Sequence, residues 1–121
     1  CALDDVHLWR AIRYVERNPV RAKMVRVPWR YTWSSAAAHV GETDGGGLLD
    51  LVAWRKEWKP SRWRVQLRDP DEESVDALRG STHTGRPLGE QRFVDRIARR
   101  LDRSVRARPV GRPRLPPAQR E

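Results

Sequence analysis

The sequence predicts a mainly α-helical chain. Apolar residues recur at helical spacing between residues 6 and 15 and again between 93 and 101, Ala36–Ala38 is a run of strong helix formers, and no convincing two-residue alternation marks a strand. Trp63-Arg64-Val65-Gln66-Leu67 is the one weak strand candidate.

The first helix opens at Asp4 and Asp5, acids suited to the positive end of the helix dipole, and carries Leu8, Ile12 and Val15 on one stripe with Trp9 at its edge. His7, Ala11, Tyr14 and Asn18 share the neighbouring stripe, with Arg10, Arg13 and Arg17 beyond it. Pro19 is expected to end this helix, because a proline disfavours helical geometry in the residue before it. Asn18 would then cap a short second helix over Val20–Val25, closed by Pro28.

An aromatic loop follows (Trp29, Tyr31, Trp33), and Ser34-Ser35 open a short helix that Gly41 stops. Gly45-Gly46-Gly47 reads as a hinge before an apolar helix that ends ahead of Pro60. Asp69–Asp76 begins a solvated helix expected to stop at Gly80, and residues 81–89 read as a loop. A last helix from Glu90 to Arg103 turns Phe93, Ile97 and Leu101 inward and Arg92, Arg96, Arg99 and Arg100 outward. The Pro- and Arg-rich tail from residue 106 is expected to be disordered. Four segments result: 1–40, a hinge and acidic helical middle at 41–80, a basic helix at 81–105, and a basic tail at 106–121.

The 121 residues suffice for one domain, and 38% apolar content with six tryptophans points to a small, indole-rich core. Twenty-five basic residues, chiefly arginine, face 16 acidic ones, for a net charge of +9. Such a balance attracts polyanions, nucleic acid foremost. The charge is uneven: residues 1–40 and 81–121 are basic and residues 41–80 are slightly acidic. A single cysteine, Cys1, excludes an internal disulfide and a zinc knuckle and fits a reducing, cytoplasmic setting. No apolar run approaches the ~20 residues of a membrane span, so no membrane partner is expected. Because the chain starts at Cys1, it is read as a processed product or a piece of a longer reading frame.

Three local patterns have plain structural readings. Ser34-Ser35 is a helix cap beside an indole, and the Gly45–Gly47 run has neither the preceding strand nor the following Lys-Ser/Thr of a phosphate loop. Gly111-Arg112-Pro113 has the core of a minor-groove hook but Val110 where the leading arginine belongs, so it reads as a basic tail.

The string Arg13-Tyr14-Val15-Glu16-Arg17-Asn18-Pro19-Val20-Arg21-Ala22 resembles the tyrosine-helix segment of the REP-associated tyrosine transposases, relatives of the single-tyrosine HUH transposases. The likeness continues through Pro28, Tyr31-Thr32-Trp33-Ser34-Ser35-Ala36 and His39, then Thr84–Gly89 with Phe93-Val94, and the Gly111–Arg114 tail. The resemblance implies the helical, carboxy-terminal portion of an α+β, ferredoxin-like HUH domain. It implies DNA transposition, in which Tyr14 attacks a phosphodiester of single-stranded or hairpin DNA and becomes linked to the 5′ phosphate, releasing a 3′ hydroxyl. Arg10, Arg13, Arg17 and Arg21 would hold phosphates near Tyr14, and Arg86, Arg92, Arg96, Arg112 and Arg114 would hold flanking DNA. The family uses a divalent metal, magnesium or manganese, on a His-hydrophobic-His pair; by position Asn18 matches the residue that completes that site. His7, His39 and His83 form no such pair, so this chain is expected to bind no metal and to be inactive alone. The alternatives are a non-catalytic basic helical module that binds nucleic acid or a partner, and an inactive gene fragment.

Overall fold

The computed structural model describes residues 1–70 and 72–105, with the side chains of residues 72–74 left aside. Among the described residues six α-helices follow in order: α1 Asp5–Arg21, α2 Ala36–His39, α3 Leu51–Glu57, α4 Pro60–Arg68, α5 Glu72–Thr84 and α6 Gln91–Arg100. No strand occurs among the described residues. One isolated parallel bridge joins Leu3 to Leu88. The mainly α expectation is met. The expected tail and the acidic Asp71 lie outside the described residues.

Helix α1 runs through Pro19 and so corrects the two-helix reading of residues 5–25. Proline removes one N–H and crowds the carbonyl four residues back, which here belongs to Val15 on the exposed side of the helix. Three hydrogen bonds beyond Pro19 hold the end: Ala22 N–H to Asn18 O at 2.9 Å, Lys23 N–H to Val20 O at 3.0 Å and Met24 N–H to Pro19 O at 2.9 Å. The last two form a Schellman closure around Lys23, whose φ is 58°. Asn18 therefore caps no second helix.

The buried face of α1 is also rotated from the expected stripe. Arg13, Glu16 and Pro19 are buried, Trp9 and Ile12 are half-buried, and Leu8 and Val15 are exposed. The reason is polar. Glu16 is 1% exposed and its carboxylate accepts from Ser35 Oγ, from His39 Nδ1 at 2.5 Å and from Trp63 Nε1 at 2.8 Å. Three donors compensate a carboxylate that burial alone would penalise by several kcal/mol.

Around this carboxylate the indoles close the core. His39 stacks on Trp54 with ring centroids 3.6 Å apart, and Trp63 meets Trp54 and Trp58 edge-on, each at 4.8 Å. Trp9 from α1 joins Trp54 at 5.4 Å. Ala36, Val40 and Leu67 fill between them. The Trp54 Nε1 donor, buried in this cluster, has no partner among the described residues.

The weak strand candidate at 63–67 is helix α4. Pro60 fits its first turn, and Trp63 and Leu67, four residues apart, share its buried face. Helix α5 passes through Gly80 and stops at Thr84, where Gly85 takes a φ of 68°. The glycine that ends this helix is thus the second of the two. In α6 Phe93 and Ile97 are half-buried, while Leu101 is 56% exposed and caps the end.

Asp4 ties the amino-terminal segment to the start of α6. Its Oδ1 accepts the His7 amide at 2.9 Å, and its Oδ2 accepts the Glu90 amide at 2.8 Å. Partial burial acts to raise this carboxyl, but the His7 amide, the His7 ring and the Glu90 amide outweigh it, so Asp4 ionises below its ordinary value. Gly89 lies against this carboxylate so closely that a Cβ there would come within 2.7 Å of Asp4 Oδ2 and 2.6 Å of Phe93 Cδ1.

Candidate nucleic-acid interface

Tyr14 is half-buried at the edge where α1 meets α5. Arg79 of α5 donates from Nε to the Tyr14 hydroxyl in a long hydrogen bond of 3.5 Å. Arg21 of α1 lies over the phenol ring, 5.0 Å from its centroid. The Arg79 hydrogen bond is the main cause holding the Tyr14 hydroxyl below its ordinary value; partial burial opposes it, and the charges of Arg79 and Arg21 add to it. The result is a phenol with two exposed guanidinium groups beside it. Such a group can pair with phosphate oxygens and leave the phenol oxygen close to the phosphate.

The four arginines expected around Tyr14 divide into two pairs. Arg10 and Arg21 are exposed. Arg13 is buried and donates to the Asp69 carbonyl, with the Asp69 carboxylate 3.6 Å away, and Arg17 donates to the Leu67 carbonyl. Both therefore cap the carboxy-terminal end of α4, where orphan carbonyls and the negative end of the dipole attract cations. Burial is the main cause lowering the pKa of Arg17.

Arg86 lies in the loop after α5, half-buried. Arg92 and Arg96 are exposed on α6, with Arg96 over the Phe93 ring at 5.6 Å. Arg112 and Arg114 lie outside the described residues.

Asn18 is exposed on α1, one turn beyond Tyr14. His7 is bonded to Asp4, His39 to Glu16, and His83 is exposed on α5. Among the described residues no group of three or more His, Cys, Asp or Glu side chains is placed to hold a metal ion.

Arg79 had no signal in the sequence. It stands among acidic residues 65 positions from Tyr14, and only the packing of α5 on α1 joins them. Trp33 is the second addition: it is 85% exposed, the reverse of what six tryptophans in a small core suggest. It borders a groove of about 430 Å³ lined on the α1 side by Val15, Asn18, Pro19 and Ala22. Among the described residues no helix is long and apolar enough to cross a membrane.

No protein-family model, no curated protein and no solved structure matches this chain.

Proposed function

We propose that this chain is a DNA-binding, transposase-like protein of the REP-associated tyrosine type, which takes single-stranded or hairpin DNA at the Tyr14 edge of α1. The observation that carries the reading is the Tyr14 hydroxyl beside Arg79, with Arg21 over its ring. In this role the arginines hold a phosphate, and Tyr14 stands as the nucleophile. The phenol oxygen would bond to phosphorus after losing its proton to water. The bond to the 3′ oxygen would break, and that oxygen would leave with the electron pair and take a proton from water, giving a 5′-phosphotyrosine and a 3′ hydroxyl. A divalent cation, where bound in the family, polarises the phosphate; the described residues offer no site for it.

A second reading is a non-catalytic module in which Tyr14 is a binding residue. The placement of Arg21 over the ring face favours it, since a guanidinium–aromatic pair is also a platform for a base or a phosphate. One experiment tests both readings, and an adduct in it would decide for the first. The chain is incubated with a single-stranded hairpin and manganese and run under denaturing conditions. Binding without an adduct is expected of this chain alone, because its sequence holds no His-hydrophobic-His pair. An adduct that disappears in Tyr14→Phe would establish cleavage by the chain as it stands. Failure to bind the hairpin at all would refute the proposal.

A further inference from the structure

We infer that the groove between the carboxy-terminal half of α1 and the Tyr31–Ser35 loop holds one unpaired nucleobase of single-stranded DNA, stacked on Trp33. The inference rests on the proposed function and deepens it, by adding a base site next to a phosphate site.

The groove has an uncommon lining for a protein surface. Val15, Met24 and Trp33 are 63%, 60% and 85% exposed, and all three border it together with the half-buried Tyr31. A large indole left in water loses the gain of burial that the other tryptophans obtain in the core. An aromatic face beside apolar walls is what a base requires, because every base has a π-face and stacking needs no sequence readout.

The charge around the groove decides the occupant. Among the described residues no charged side chain, acidic or basic, lines it. Arg21, Lys23 and Arg30, each next in sequence to a lining residue, and Arg26, two beyond Met24, are all exposed. An apolar slot whose lining residues have cations beside them in the sequence matches a single strand, whose bases are apolar on their faces and whose backbone is anionic. On the helix surface Asn18 comes between Tyr14 and the groove-lining Val15 and Ala22, so one strand can lay a phosphate on Arg21 and Arg79 and turn the adjacent base toward Trp33. The Asn18 amide, on the groove wall, offers one donor group and one acceptor to the edge of that base.

The test uses the full chain and a short labelled single strand, followed by anisotropy, with acrylamide quenching of tryptophan emission as a second readout. A strand of equal length with abasic sites serves as the control. Trp33→Ala should weaken binding to the intact strand by about 5- to 150-fold, the span that loss of one base stack gives. The same change should leave the abasic strand's affinity within about twofold, and Trp33→Phe should restore most of the loss. The intact strand should also shield part of the emission from acrylamide. If the chain binds neither strand, the proposed function falls and this site with it. If it binds both and Trp33→Ala changes nothing, the base site falls while the phosphate site stands. A concentration-dependent dimer that Trp33→Ala dissolves would give the groove to a second copy of the chain and overturn the inference.

Discussion

Glu16 on α1 meets His39 on α2 at 2.5 Å, and the same carboxylate takes the indole N–H of Trp63 on α4. One buried acid thereby joins three helices that lie far apart in the sequence. Removing a donor from such a site leaves an acceptor unsatisfied, which costs more than removing a donor that has no partner. The core contains both cases, Trp63 bonded to Glu16 and Trp54 without a partner for Nε1 among the described residues. Trp63→Phe should cost about 1–3 kcal/mol more than Trp54→Phe, read from urea midpoints at equal slope. Equal costs would mean that the Glu16 bond contributes nothing net.

Lys23 closes α1 with a φ of 58°, in the left-handed region where a side chain is strained. Lys23→Gly should raise stability by about 0.5–1 kcal/mol, because the side chain is exposed and only the backbone strain is relieved. Thermal or urea denaturation checks it. A loss would place an unrecognised contact on the Lys23 side chain.

Gly89 has no room for a methyl group, since its Cβ would fall within 3 Å of both the Asp4 carboxylate and Phe93. Asp4 cannot simply swing away, because it holds the His7 and Glu90 amides. Gly89→Ala should destabilise by about 1–3 kcal/mol and loosen the contact between the amino terminus and α6. Faster amide hydrogen exchange at Leu88 and Glu90 would report the loosening directly.

Tyr14 should titrate below the ordinary phenol value, and Arg79→Gln should move it up. A Tyr31→Phe background isolates the signal in a tyrosinate absorbance titration. The sign for stability follows. The stability from a depressed folded value is fully present above the unfolded value near 10 and is lost as pH falls through the folded value. Arg79→Gln should therefore change stability more at alkaline pH than below the folded value. A Tyr14 titration unmoved by Arg79→Gln would contradict the contact.

The sequence was most legible where local chemistry decides. Gly41 stops α2 with a φ of 82°, and Asp4 caps α1. It was least legible where long-range polar contacts decide. The buried face of α1 follows Glu16 and Arg13, whose partners Trp63 and Asp69 lie 47 and 56 residues away, and no periodicity of apolar residues encodes that. The helix ends at Lys23 and Asp102 take left-handed φ values without a glycine to mark them. At the candidate site, the resemblance brought Tyr14 and Arg21 together although the sequence put them on two helices where the structure has one, while Arg79 required the packing of α5 on α1.

The central claim is that Tyr14 and its two arginines form a phosphate site for single-stranded DNA. It is tested most directly by the salt dependence of binding. Each phosphate neutralised on a single strand contributes roughly −0.7 to the slope of log affinity against log salt. The double variant Arg21→Gln/Arg79→Gln, both exposed positions, should bind more weakly at low salt and flatten that slope by about 1.4, two phosphates at roughly 0.7 each. A parent affinity independent of salt, or a slope identical in the double variant, would contradict the account.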